Sequence, residues 1–265
     1  MGDAVINYEK LFGNIDAYRS EFHSGVFEFV AIDDFLDSGH ADRILSEFPD
    51  PLEKGIGKSR DYVFAKNKYE KSDFASHGGA LASLYAELTS KKFSDFLVDL
   101  TGEDVFVDPS FHGGGLHQGG EGSYLNMHAD FNYHPINKSW FRNLNILVYF
   151  NKDWVGGYGG QLKLKNKRTG ESTEVEPLFN RCVIMFTRDY TLHGYDPIKF
   201  PKGQYRRSIA AYAYSEVTDL ESRQARSTTW YPEDGGVLKK VLGKSWPKLV
   251  AIKTKFVGSS TAKNK

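Results

Sequence analysis

The sequence has a single cysteine, no net charge and no long apolar run, and each of these absences narrows the possibilities. Cys182 alone cannot form an internal disulfide, which excludes a disulfide-stapled scaffold and favours a reducing compartment. The 34 basic and 34 acidic residues cancel, so no overall field attracts nucleic acid, and no nucleic-acid partner is expected. No apolar run reaches the roughly eighteen residues that a transmembrane helix needs.

The amino-terminal segment MGDAVINYEKLFG also lacks the basic region and apolar stretch of a secretory signal. With the lone cysteine, this predicts a cytoplasmic location. The 265 residues are 40% hydrophobic and 14% aromatic. Because β barrels and sandwiches of this length often fold as one unit, we expect one large domain with a sizeable core.

Residues 1–104 are predicted to support the core of this domain with helices and one strand. A short helix lies near Tyr8 in an otherwise irregular lead-in, and the β-branched and aromatic residues of Val26–Leu36 predict a strand. Ser38 is expected to cap a helix with apolar residues at helical spacing, which Pro51 stops.

A second helical region is predicted from Leu81 to Leu100, where apolar residues form one face. Ser90 restarts this region and Gly102 ends it. Between the two helical regions, the charged segment Glu53–Ser76 is expected to be a surface loop, which either borders a substrate opening or only connects its neighbours.

From residue 105 to residue 215 the pattern changes to short strands separated by Gly, Asn and Pro turns. The predicted strands are Val105–Val107, Gly115–Gln118, Tyr124–His128, Asn143–Phe150, Gly160–Lys165, Glu174–Pro177, Cys182–Thr187 and Arg206–Ser215. About eight short strands after helices predict a mainly β fold with flanking helices, built around a jelly-roll core.

Residues 216–265 are predicted to be a basic carboxy-terminal extension. From Val237 to Lys265 there are eight lysines and no acidic residue, interspersed with apolar positions. Such a segment is either an amphipathic helix that touches an anionic surface or a helix docked on the core with its lysines in water. Solvated charged faces are the common case, which favours the docked helix.

Three side chains in the central region form a candidate metal site. His128 and Asp130 are two positions apart, so on a strand they point to the same face. His193 follows the apolar strand RCVIMF and offers a second imidazole. Although a histidine at a strand end is often only a hydrogen-bonded core residue, two histidines and one carboxylate with open positions are the ligand set of non-haem Fe(II) oxygenases.

A candidate anion site follows in YRRSIAAYAYS, which alternates like a half-buried strand. If Arg206 and Ser208 face the interior, the arginine is a buried cation that needs an anion. A guanidinium binds a carboxylate through two parallel hydrogen bonds, and Ser208 adds a hydroxyl. The alternative is a reversed register in which Arg207 points inward and Arg206 lies at the surface.

Five blocks in order, YLNMHAD, LVYFNKDW, GGQLKL, EPLFNRCVIMF and RRSIAAYAY, resemble the Fe(II)- and 2-oxoglutarate-dependent oxygenase superfamily, in particular its prolyl-4-hydroxylase-like branch. The resemblance covers about residues 105–215 and implies a double-stranded β-helix core. It also implies that His128, Asp130 and His193 hold Fe(II) and that Arg206 grips the distal carboxylate of 2-oxoglutarate.

By the match to LVYFN, Tyr149 resembles a tyrosine that hydrogen-bonds the same carboxylate, and Asn145 shares its face of the strand. In the segment GGGLHQGG, His117 or Gln118 either reaches the cosubstrate or substrate, or stabilises a turn.

The activity that the resemblance implies is oxidative decarboxylation of 2-oxoglutarate to succinate and CO₂ by O₂, coupled to oxidation of a small molecule, glycan component or peptidyl residue. Related halogenases carry a small residue where Asp130 stands, so hydroxylation is favoured, with desaturation and rearrangement as other outcomes. Two further alternatives are a catalytically silent β-sandwich binding module and a cupin-like metal-dependent isomerase or hydrolase. The complete metal and arginine set argues against the first, and Arg206 with Tyr149 argues against the second.

Overall fold

The computed structural model describes residues 4–53, 56–58, 61, 63–218, 225–233, 236, 238–239, 241–243 and 245. The α-helices are α1 (Tyr8–Gly13), α2 (Ile15–Ser24), α3 (Ser38–Ser46), α4 (Gly79–Leu88) and α5 (Lys91–Thr101). The strands are β1 (Phe29–Ile32), β2 (Gly57–Lys58), β3 (Ala65–Lys71), β4 (Phe106–Val107), β5 (Gly115–Ala129), β6 (Trp140–Tyr149), β7 (Leu162–Asn166), β8 (Ser172–Val175), β9 (Cys182–Phe186), β10 (Thr191–Tyr195), β11 (Arg206–Glu216) and β12 (Thr229–Trp230).

The longest strand, β5, connects the two layers of a nearly closed antiparallel barrel. The main strand order is β1-β9-β6-β11-β5-β10-β7-β8, and β3 and β12 also pair with β5. The first part of β5 pairs with β11, and its last part pairs with β10. The predicted fold class, mainly β with flanking helices and a jelly-roll core, is confirmed.

Central strands of the barrel are apolar on the face that meets the helices. In β6, Leu144, Ile146 and Val148 belong to the large core that the helices cover, and so do the alternate residues Ile209 and Ala211 of β11. The intervening positions face the inside of the barrel. Helix α5 closes this core with fully buried apolar side chains, each of which stabilises the fold by about 1.5–3 kcal/mol.

Helix ends follow the predicted signals in one case and differ in another. The Ser90 side chain accepts a hydrogen bond from the Phe93 amide at the start of α5, and Gly102 ends it with φ of 73°. In contrast, α3 is capped by Asp37, whose carboxylate accepts from the His40 amide, so the prediction of Ser38 as the cap is wrong by one position.

Four segments differ from the prediction. The expected surface loop Glu53–Ser76 contains β3, which pairs with β5, because its charged residues alternate along a strand that borders a polar cavity. The two strands predicted within 115–128 form one strand, and the irregular lead-in holds a second helix, α2. His193 lies inside its own strand, β10, rather than at the end of β9.

One hydrophobic core joins residues from Val5 to Ala213. The division into a support region, a core and a carboxy-terminal extension stays a prediction, and most of the basic segment Val237–Lys265 lies outside the described residues. No helix in the described part of the chain has the length and apolar character needed to cross a bilayer.

Asp108, directly after β4, ties two loops to the sheet. Its buried carboxylate accepts hydrogen bonds from the amides of Ser110 and His112, at 2.8 and 2.9 Å, and His134 Nε2 lies 3.4 Å away. Burial alone would raise the pKa of Asp108, but the contact with His134 and these hydrogen bonds lower it to about 2. His134 is therefore part of a structural network.

We expect Asp108→Asn to lower the free energy of unfolding at pH 7 by about 2 kcal/mol, because the folded state favours the ionised carboxylate. A depressed pKa contributes stability above the unfolded value near 4, and this contribution is lost as the pH falls towards 2. Urea unfolding at pH 7 and pH 3 measures both effects. Asp104→Asn, at an exposed position, is the matched control. Equal losses for the two variants at pH 7 would contradict this account.

Candidate metal centre and its cavity

His128, Asp130 and His193 come together because β5 and β10 are adjacent and pair His128 with His193. One ligand atom from each of the three lies within 4.8 Å of the others. Asp130 Oδ1 is 3.4 Å from His128 Nε2, and Asp130 Oδ2 is 3.5 Å from His193 Nε2. Ligands about 2.1 Å from an ion and at right angles are about 3 Å apart, so the three atoms fit one six-coordinate ion after small shifts.

The protonation states also suit a metal ion. His128 Nδ1 donates a hydrogen bond to the Asn126 carbonyl at 2.9 Å, which leaves Nε2 as the ligand atom. Burial, and next the neighbouring His128, lower the pKa of His193 to about 3, so its imidazole is neutral at pH 7. Two imidazoles and a carboxylate are a donor set that suits Fe(II).

The carboxylate of Asp130 is held by a buried arginine. Arg142 Nη2 donates to Asp130 Oδ2 at 2.9 Å, and Asn145 Nδ2 donates to the same oxygen at 2.9 Å. Burial alone would raise the pKa of Asp130, but the Arg142 guanidinium keeps it well below its usual range. Because Oδ2 already accepts two hydrogen bonds, Oδ1 is the oxygen left for a metal ion.

Two aromatic rings and an amide fix the guanidinium itself. Arg142 lies over Tyr212, with its central carbon 3.4 Å from the ring centroid, and 4.7 Å from the centroid of Phe131. Its Nε donates to Asn145 Oδ1 at 2.9 Å. The arginine is 1% exposed, so its direction is set by packing as well as by charge.

Arg206 provides a second buried cation in the same cavity. Its Nε donates to the Gly160 carbonyl at 2.7 Å, and its Nη2 donates to the Tyr149 hydroxyl at 3.2 Å. The ring of Tyr195 lies 4.3 Å from its central carbon. Among the described residues, no carboxylate lies within ion-pair distance of Arg206, although the residue is only 7% exposed.

Gly160 permits the close approach of the arginine. Its φ of +82° lies in the left-handed region, and a Cβ at this position would be 3.1 Å from Arg206 Cδ. The glycine-rich segment Gly156–Gly160 is thus a turn that presents a carbonyl to the guanidinium.

Comparison with known proteins decides the family. Residues 114–214 match the family model described as the 2OG-Fe(II) oxygenase superfamily. Residues 114–214 of this chain, which include His128, Asp130, His193 and Arg206, are thus a 2OG-Fe(II) oxygenase region. The family implies Fe(II), 2-oxoglutarate and O₂ as cofactor and cosubstrates, and an enzyme of the 2-oxoglutarate-dependent dioxygenase class. No curated protein matches the chain in sequence.

Solved structures with a similar fold include prolyl hydroxylases. A Trichoplax adhaerens prolyl hydroxylase, in complex with a hypoxia inducible factor oxygen degradation domain peptide fragment, has a TM-score of 0.56 and 16% identity over 78% of this chain and 91% of its own. A Pseudomonas putida prolyl-4-hydroxylase has a TM-score of 0.53 and 13% identity over 77% and 99%. A Phytophthora capsici prolyl 4-hydroxylase has a TM-score of 0.55 and 19% identity, over 80% of this chain and 67% of its own. At these identities the likeness concerns the fold.

Other predicted site residues of the oxygenase divide into two groups. Ser208 and Tyr149 line the cavity next to Arg206, as does Asn145, whose amide holds Asp130 rather than facing Arg206. Gln118 lies on the other face of β5, where it donates to the Pro49 carbonyl and accepts from Arg207. The prediction that Gln118 binds cofactor is therefore not supported, since strand alternation turns His117 inward instead.

The oxygenase cavity has a volume of about 340 Å³ and includes residues that the sequence pattern did not assign. Arg142 is one of them, because an arginine twelve positions after Asp130 carries no recognisable sequence signal. Lys68 and Glu70 reach the cavity from β3, and Trp230 reaches it from β12. Their positions depend on pairing with the distant β5.

Trp230 lies directly against the metal group. Its ring stacks on His128, with centroids 4.7 Å apart, and on Phe64, with centroids 5.0 Å apart. The segment that carries it follows the end of the matched family region and covers one side of the candidate metal centre.

We expect Arg142→Met to weaken Fe(II) binding by about 10- to 100-fold, because Asp130 loses the group that orients it. The Fe(II) affinity of Arg142→Lys should lie between those of Arg142→Met and the wild type, since lysine keeps the charge but not the planar donor group. Anaerobic competition with a chelator measures the affinity, and thermal unfolding reports on the fold. A folded Arg142→Met protein with wild-type affinity would refute the role.

We expect bound Fe(II) or Co(II) to quench tryptophan fluorescence, because quenching by an open-shell ion falls steeply with distance and Trp230 contacts a ligand. Trp230→Phe should lose most of the quenching. Trp154→Phe should retain it, since Trp154 packs with Ile198 and donates to the Gly159 carbonyl elsewhere. Fluorescence titration of the three proteins makes the comparison, and equal quenching in all three would place the ion elsewhere.

Proposed function

We propose that this oxygenase is a hydroxylase that couples oxidation of a small molecule, glycan component or peptidyl residue to decarboxylation of 2-oxoglutarate. The observation that carries the proposal is Arg206, a buried guanidinium without a carboxylate partner among the described residues, in the cavity that also holds the candidate metal group. A buried cation of this kind is unfavourable unless an anion binds to it.

In this proposal each residue has a defined task. His128, Asp130 and His193 hold Fe(II), and Arg206 binds the distal carboxylate of 2-oxoglutarate, with Tyr149 as a further donor. When bound, Fe(II) supplies the redox chemistry with O₂ and the cosubstrate.

The remaining cavity residues orient the reactants and exclude water. Ser208 lies beside Tyr149 across the β6–β11 pairing and offers one more hydroxyl to the carboxylate. The apolar walls Leu147 and Leu162 reduce access of water between the two ends of the cavity.

Both alternative functions lack a comparable supporting observation. A silent binding module has no requirement for a buried carboxylate oriented by Arg142. A cupin-like isomerase or hydrolase has no requirement for the unpaired Arg206 beside Tyr149. The peptide bound to the Trichoplax adhaerens relative supports keeping a peptidyl residue among the candidate substrates.

We expect the protein with Fe(II), 2-oxoglutarate and O₂ to produce succinate, even if slowly without substrate, and His128→Ala to abolish this production because the metal loses a ligand. Chromatographic quantification of succinate after admission of air to an anaerobic mixture measures the reaction. Product formation in a host-cell extract should appear as an oxygen-atom mass increase in one component.

Arg206→Met tests the cosubstrate site within the same measurement. We expect its KM for 2-oxoglutarate to rise by about 100-fold, because two hydrogen bonds to a charged group are lost. Arg207→Met is the matched control, since the adjacent Arg207 faces the other side of β11. Iron binding without succinate in the wild type, for any candidate substrate, would favour the silent binding module.

A further inference from the structure

The wall of the cavity formed by β3 carries an ion pair that has no place in the proposed iron and 2-oxoglutarate sites. Lys68 and Glu70 are two positions apart and both line the cavity. Lys68 Nζ lies 2.6 Å from Glu70 Oε1, and the side chains are 16% and 39% exposed. The pair therefore faces the space in which a substrate would lie.

The sheet places this lysine in register with Arg206. Lys68 pairs with Gly119 of β5, and Gly119 pairs with Arg206 of β11. Lys68 and Arg206 are thus separated by one strand, or about 10 Å between their backbones. The residue between them has no side chain, and a Cβ there would lie 2.8 Å from Ser123 Oγ. Ser123 occupies the space beside Gly119, and the two cations lie on the same wall of the cavity on either side of this glycine.

The ammonium of Lys68 has donor capacity beyond its ion pair. It carries three N–H groups, and Glu70 is its only ion-pair partner among the described residues. Burial alone would lower the pKa of Lys68, but Glu70 and then Tyr195 raise it above its usual value, so the group stays charged. An acceptor in the cavity can therefore meet the remaining donors.

His117 adds a neutral imidazole to the same wall. It pairs with Glu70 across the β3–β5 ladder, and its Nε2 lies 3.8 Å from Glu70 Oε1. This buried Nε2 has no hydrogen-bond partner among the described residues. Burial, and next the charge of Lys68, lower the pKa of His117 to about 3, so the imidazole is neutral at pH 7. The ring also donates a hydrogen bond to the Gly113 backbone, so its one proton lies on Nδ1 and Nε2 is an acceptor, which leaves Lys68 as the donor on this wall.

The charges that line the cavity do not balance. Among the described lining residues, Lys68, Arg142 and Arg206 are cations, and Glu70 and Asp130 are carboxylates, which leaves 3 − 2 = +1. A ferrous ion and the 2-oxoglutarate dianion add +2 and −2, so the sum remains +1. A further ligand with one negative charge restores neutrality in a cavity where unpaired charge is unfavourable.

We propose that Lys68 binds a carboxylate in the cavity in exchange for Glu70, and that this carboxylate belongs to the substrate. The inference rests on the proposed function, because it assigns the substrate class of the same site. The shared chemistry is a carboxylate, and its other source would be 2-oxoglutarate itself. In the protein without substrate, the ion pair with Glu70 holds Lys68 in position and balances its charge.

The test compares Lys68→Met with Lys66→Met, a control at an exposed position of the same strand. Under anaerobic conditions with Fe(II), we measure the Kd of 2-oxoglutarate by calorimetry. In the same complex, ligand-observed NMR measures the binding of phenylacetate and phenylacetamide, which share their shape but differ by one charge. We expect the wild type and Lys66→Met to prefer phenylacetate by about 10-fold, and Lys68→Met to lose this preference with an unchanged Kd for 2-oxoglutarate.

Glu70→Gln provides a readout that a merely structural ion pair would not give. Removal of the competing carboxylate should strengthen phenylacetate binding by several-fold, whereas loss of a structural contact would weaken it. Thermal unfolding and Fe(II) affinity confirm that each variant is folded.

The outcomes are distinct. A Kd for 2-oxoglutarate that rises by 10-fold or more in Lys68→Met assigns the carboxylate to the cosubstrate and overturns the substrate assignment. If Lys68→Met alters neither this Kd nor the probe preference, or if the wild type has no preference, the inference is wrong while the oxygenase function stands. A wild type that binds no 2-oxoglutarate refutes the proposed function instead.

Discussion

The contact on which the active cavity depends is the buried pairing of Asp130 with Arg142. A carboxylate between two imidazoles in a closed barrel would be costly to keep ionised, and the guanidinium makes that state favourable. Burial of the arginine is unfavourable in turn, and contacts with Tyr212, Phe131 and the Asn145 amide stabilise it. The metal group is therefore prepared by a continuous polar and aromatic network before any ion binds.

This network also explains why the second arginine is free for a ligand. Arg142 is matched by Asp130, whereas the contacts of Arg206 are with a carbonyl and a phenol, both neutral. Two arginines at similar depth in one barrel thus differ because, in the part of the chain that the structure describes, only Arg142 has a carboxylate within reach. The difference follows from the register of β6 and β11, which places Tyr149 opposite Ser208 and Asn145 opposite Tyr212.

Strand alternation made the inner face of the barrel predictable from the sequence. The period of two fixes Arg206, Ser208 and Tyr212 on one side of β11 once Ile209 is known to pack outward. The same rule, applied to β5, would have turned Gln118 away from the cavity. The pattern could not predict the positions of β3 and Trp230. The charged sequence of β3 resembles a loop, and Trp230 stands outside any predicted strand, so only pairing with β5 brings them to the cavity. Non-local pairing of this kind leaves no local signal.

The origin of the cavity residues suggests how chemistry and selectivity are divided along the chain. The metal group and Arg206 all lie within residues 114–214, the region that matches the superfamily. Lys68, Glu70, Thr228 and Trp230 lie outside it, on segments that reach the cavity from before and after the shared core. Because β5 hydrogen-bonds to both segments, each of them forms part of the cavity wall. A barrel built in this way can change its substrate while its proposed iron and cosubstrate sites stay in place, since the two sets of residues lie on different strands.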